Sequence, residues 1–208
     1  MLNEVERSTL YRLLAGLILQ ELQGLRFLAL KDHWQSLFSN LAIAQESLSP
    51  TCQRCLAAIQ HLLTSKDAEL ELRADFTQLF LQDASKTSAA PYASLYQEQP
   101  SLGTVNPALM EWFDYTQLKL NEHYHETKDH LAALLELMAH LIEQNDHSAQ
   151  QAFLNEQVLT WLPKWAQRCQ KTNLSSDFYP AVAQLTLDFC KQDQNNMKFR
   201  FNGKPSKS

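Results

Sequence analysis

Two groups of side chains have types and spacings that could do chemistry. Cys52-x-x-Cys55 has the spacing of a redox pair, or of half a zinc site. The redox use needs a βαβ setting, and the zinc use needs two further ligands. Cys169 and Cys190 are isolated, so ordinary core thiols are the simpler reading. The second group is Glu122, His123, His125, Glu126, Asp129 and His130. Glu122-x-x-His125 is the tetrad that di-iron bundles present from each of two helices. This chain carries it once, in a polar connector. A solvated linker is the plainer reading. A carboxylate and histidine metal enzyme using Glu122, His125, His130 and Glu136 is the rival, and a generic helical adaptor a second one. No Ser/His/Asp arrangement is visible, and four glycines cannot build a phosphate loop. No cofactor and no catalytic residue are expected from the residues alone.

The elements that must position these groups are helices. In 208 residues Leu occurs 36 times, Val and Ile together 8 times, and Gly 4 times. Leu, Gln, Glu, Lys and Ala lose little rotamer freedom in a helix, whereas sheets favour β-branched residues. The expected fold is therefore all-α, a bundle of about eight to ten helices. The net charge is −5, and residues 1–193 carry −9, because the basic tail has no acid. An acidic body repels phosphate backbones and suits a basic peptide. The N-terminus is too acidic for a secretory leader, and no apolar run approaches the ~20 residues of a membrane span. A cytoplasmic protein with reduced thiols is expected.

Apolar stripes at helical spacing place helices at about 3–22, 27–41, 51–63 and 67–81. Thr51 is the expected cap of the third. The period then stops. Residues 83–105 hold Pro91, Pro100 and Gly103, with Tyr92, Leu95 and Tyr96, and read as a long loop ordered against something. Asn106-Pro107 opens the next helix, expected to reach about Asn121. A strongly apolar helix follows from Asp129 to Glu143, and another starts near Ser148, with Pro163 forcing a kink or restart. Asp177 is the expected cap of a last helix ending near Lys191, with 194–208 a loose tail. The organisation read from this is an N-terminal unit 1–121, a hinge 122–128, a C-terminal unit 129–193 and the tail.

Three stretches in order carry a resemblance. They are Ala74-Asp75-Phe76-Thr77-Gln78-Leu79-Phe80-Leu81, Ala90-Pro91-Tyr92-Ala93-Ser94-Leu95-Tyr96, and Lys128-Asp129-His130-Leu131 followed by Glu136-Leu137-Met138. With Trp161-Leu162-Pro163 downstream, the chain resembles the TorD/DmsD/NarJ family of molybdoenzyme chaperones, its TorD branch above all. The resemblance implies an all-helical, non-catalytic cytoplasmic chaperone. It would bind the twin-arginine signal peptide of an apo-molybdoenzyme and delay export until the molybdenum cofactor is inserted. The implied client is trimethylamine N-oxide reductase, with dimethyl sulfoxide reductase the alternative, and molybdenum cofactor biosynthesis proteins are possible further partners. Guanine nucleotide binding is implied for this branch by resemblance only. Glu126-Thr127-Lys128-Asp129-His130 lacks the proline usual in the family, and Ala90-Pro91-Tyr92 has one proline where relatives have two.

The peptide site implied comprises Asp75, Leu79, Phe80, Pro91, Tyr92, Ser94, Tyr96, Asp129 and His130. Leu79, Phe80, Tyr92 and Tyr96 would line a groove, and Asp75 and Asp129 would supply charge. Core packing is the other reading of Leu79 and Phe80, and a helix N-cap the other reading of Asp129. The hinge residues Glu122, Glu126, Thr127 and Lys128 include no Pro or Gly to enforce a reversal. A monomer and a domain-swapped homodimer are both expected from this.

Overall fold

The computed structural model describes residues 1–81, 88–97, 105–118 and 126–202, with the side chains of 199–202 left aside. The expected all-α class holds among them: α-helices joined by π and 3₁₀ turns, and one isolated antiparallel bridge, Tyr92 with His130. Helix α1 (Glu4–Leu19) starts with a reciprocal cap, the Asn3 side chain accepting from Glu6 N and the Glu6 carboxylate from Asn3 N. Its stripe of Leu10, Leu14, Leu17 and Ile18 is buried. Gly24 then turns the chain at φ 55°, where a side chain would be strained. Helices α2 (Leu25–Ala29) and α3 (Gln35–Ala44) are joined by a π turn at Leu30–Trp34.

Helix α4 (Ser49–Leu62) begins two residues before the expected Thr51 cap, with Pro50 in its first turn. Thr51 Oγ1 donates instead to Asp188 Oδ2 at 2.6 Å. Helix α5 (Ala68–Phe76) runs into a π turn at Thr77–Leu81. Helix α6 (Pro107–Thr116) is capped by Asn106, as its sequence predicts. It stops short of Asn121 because Gln117 takes a left-handed conformation at φ 54°. Glu122, His123 and His125 lie outside the described residues.

Helix α7 (Leu131–Glu143) is buried over ten of its side chains. It packs against α1, α6 and α8 (His147–Phe153), so its apolar face is covered within the chain. A π turn, Leu154–Val158, leads on to α9 (Leu162–Lys171), where Pro163 restarts the helix as expected. Helix α10 (Phe178–Asn202) packs on α4 and α9. It runs well past Lys191, so residues 194–202 are helical rather than loose. Asp193 and Met197 explain this, because both side chains are buried. Asp177 sits just before α10, but its carboxylate pairs with Arg54 at 2.6 and 2.7 Å. One hydrophobic cluster draws residues from both expected units, with Tyr11, Phe38 and Leu72 joining Leu134, Trp165 and Phe189.

A buried polar knot ties the two ends of the chain. Arg7 donates to both oxygens of Asp193, at 2.6 and 2.8 Å, and to Gln150 Oε1 at 3.1 Å. Tyr11 OH donates to Asp193 at 3.0 Å. Gln150 Nε2 reaches Leu141 O at 3.1 Å. The knot joins α1, α8 and α10 across more than 180 residues of sequence.

Candidate functional site

The segment 88–97 is held in place by the start of α7. Ala93 N donates to Asp129 O at 3.0 Å, and Leu131 N to Pro91 O at 2.7 Å. Asp129 adds its side chain, which takes Ser94 N at 3.2 Å and Thr127 Oγ1. It is 1% exposed. The N-cap of α7 is His130 rather than the expected Asp129, its Nδ1 accepting from Ala132 N at 3.2 Å. Asp129 is already committed to the loop, so the next residue caps the helix. Tyr92 lays its ring edge-on to His130, centroids 5.0 Å apart, and its hydroxyl donates to Glu126. Burial pushes the His130 imidazole down to about 4, against the opposing pull of Glu126 and Asp129.

This burial has a testable consequence. In the unfolded chain His130 titrates near 6.5, so between pH 6.5 and 4 the unfolded state takes up a proton that the fold refuses. Stability therefore falls as pH falls through that window, by up to about 3 kcal/mol from this residue. Thermal melts of the native chain and of His130→Asn from pH 7 to 4 check it, since Asn keeps a capping acceptor. The variant is expected to lose stability less steeply on the acid side. Parallel curves would remove His130 from the account.

The other side of the segment faces a groove of about 380 Å³. Its walls are Ala93, Tyr96, Gln97, Asn106, Leu109 and Asp129 on one side, and Glu156, Gln157, Thr160, Trp161 and Lys164 on the other. Tyr96 stacks on Trp161, centroids 5.4 Å apart and planes 22° apart. Tyr96 OH donates to Ala90 O at 3.1 Å, and Trp161 Nε1 to Gln157 O at 2.8 Å, so both rings are fixed. Lys164 Nζ lies 3.4 Å from Tyr96 O. A rigid aromatic wall with carboxylates alongside can take an extended polypeptide with apolar and basic side chains.

The sequence-derived site divides. Tyr96 and Asp129 line the groove, and Pro91, Tyr92, Ser94 and His130 form the frame behind it. Ser94 is buried, and its hydroxyl has no partner among the described residues. Asp75, Leu79 and Phe80 lie elsewhere. Asp75 is buried and accepts from Ser175 N and Ser176 N, both at 2.8 Å, fixing the turn before α10. Leu79 is fully buried, and Phe80 packs among Phe76, Trp165 and Tyr179. The groove residues that sequence reasoning missed include Gln97, Leu109, Glu156, Gln157, Thr160 and Lys164. Trp161 was legible only as a motif position. Cys52 and Cys55 are buried in α4, and burial pushes the Cys52 thiol up to about 12 and Cys55 higher still. A buried thiol with a raised pKa is a poor nucleophile, which disfavours redox exchange at this pair.

The family model described as the nitrate reductase delta subunit matches residues 45–167. A chaperone protein TorD of Shewanella sp. strain MR-4 is 36% identical over 203 residues, covering 92% of this chain and 94% of its own. The chain belongs to the TorD/NarJ family. A chaperone protein TorD of Actinobacillus succinogenes is 36% identical over 180 residues, 86% of this chain and 88% of the relative. One of Vibrio cholerae serotype O1 is 33% identical over 207 residues, 94% and 93% of the two chains. These TorD/NarJ relatives are named as chaperones, not as enzymes. That kinship displaces the metal-enzyme reading of Glu122, His125, His130 and Glu136. No helix among the described residues is long and apolar enough to cross a membrane.

Proposed function

We propose that this chain is a cytoplasmic chaperone that binds the twin-arginine signal peptide of an apo-molybdoenzyme and holds export back during molybdenum cofactor insertion. Trimethylamine N-oxide reductase is the proposed client. The observation that carries the reading is the Tyr96–Trp161 stack, set in a groove between the loop 88–97 and α9. The loop and the α7 start that holds it are segments by which the chain resembles the family. The aromatic wall and Leu109 suit the apolar stretch of such a peptide, and the exposed Glu156 suits its basic residues.

Thr160 is exposed and lines the groove, so Thr160→Trp fills it without touching the core. The expected result is at least about tenfold weaker binding of a labelled signal peptide, at an unchanged melting temperature. Equal affinity in both proteins would sink this site. Co-purification from the host cytoplasm, with the bound precursor identified, tests the client; recovery of a non-molybdoenzyme precursor would overturn it.

A further inference from the structure

A second groove, of about 640 Å³, runs between α6 and α8. It shares Glu156 and Gln157 with the Tyr96–Trp161 groove, so one extended guest can occupy both. The floor is Trp112, half-buried and held edge-on between Phe153 at 5.4 Å and Tyr115 at 6.1 Å. Tyr115 is 61% exposed, and its hydroxyl donates to Asp146 at 2.6 Å. Glu111, Asp146 and Glu156 stand around this aromatic floor. Among the described residues no cation pairs with Glu111 or Glu156. In the sequence from Pro107 to Pro163 nine acids stand against two lysines, and two of the nine, Glu136 and Glu143, pair with Arg12. The rest of the chain is close to neutral, so the net negative charge falls in this stretch of sequence.

Resting on the peptide-binding reading above, we infer that the α6–α8 groove takes the arginine side chains of the same guest peptide. A guanidinium lies flat on an indole face and pairs with carboxylates beside it. The apolar stretch of the guest then lies along Tyr96 and Trp161. Lys164 sets the direction, since an ammonium in the Tyr96–Trp161 groove repels the basic end of the guest. The peptide therefore runs from α6–α8, basic end first, toward α9.

The test is a cycle of two peptides and three proteins. The peptides are a synthetic twin-arginine signal peptide and the same peptide with both arginines replaced by glutamine. The proteins are the native chain, Glu111→Gln/Glu156→Gln and Thr160→Trp, each checked by its melting temperature. The acid-to-amide variant is expected to bind the arginine peptide at least about tenfold more weakly, with a flatter salt dependence. It should bind the glutamine peptide as the native chain does. Thr160→Trp should weaken both peptides. Equal loss for both peptides in the acid-to-amide variant, or no loss for either, would overturn the arginine subsite and leave the peptide site standing. Failure of the native chain to bind either peptide would overturn both.

Discussion

Phe80→Ala is expected to cost about 3–5 kcal/mol of stability, and to leave signal-peptide affinity unchanged in the folded fraction. The ring is 4% exposed. It meets Phe76 edge-on at 5.1 Å and Tyr179 at 5.5 Å, and stacks on Trp165 at 6.2 Å. Truncation removes the transfer energy of a phenyl group and opens a cavity that three rigid aromatics cannot close. In a chain of this size the melting temperature should fall by about 6–20 °C. Melting and peptide titration of the same variant decide the matter. A melting temperature within about 2 °C of the native value, with affinity down more than tenfold, would place Phe80 in the peptide groove instead.

Asp193→Ala should be comparably severe, at about 3–5 kcal/mol, because it leaves the Arg7 guanidinium buried without its counter-charge. Both side chains of that pair are almost wholly out of water. Tyr11 loses its acceptor in the same stroke. The pair itself need not be strongly stabilising, since desolvating two charges offsets most of their attraction. Arg7→Met combined with Asp193→Leu is therefore expected to recover much of the loss seen in Asp193→Ala. Urea unfolding of the single and double variants separates the two effects. A double variant as unstable as the single one would show that the ion pair, and not just its balance, stabilises the joint between α1 and α10.

The helices and several of their ends were legible because their causes are local. Leu10, Leu14, Leu17 and Ile18 fall on one face of α1 by spacing alone, and that face is buried. Asn106-Pro107 starts a helix, and Pro163 restarts one, through the backbone donors they cap or remove. The scarcity of Val, Ile and Gly beside abundant Leu decided the fold class. Partnerships between distant segments were not legible. Asp75 has the look of a groove carboxylate, yet two amides a hundred residues away claim it. Asp129 reads as a helix cap, but the loop 88–97 takes its oxygens and His130 caps instead. The basic stretch after Lys191 reads as tail, yet α10 continues because Asp193 finds Arg7 and Met197 finds the core. Tyr96 and Trp161 form one wall only when α9 and the loop meet. Periodicity and capping act within a turn or two of chain. The mutual placement of segments sixty to two hundred residues apart is set by which packing buries the most surface without orphaning a polar group, and that is a property of the whole fold.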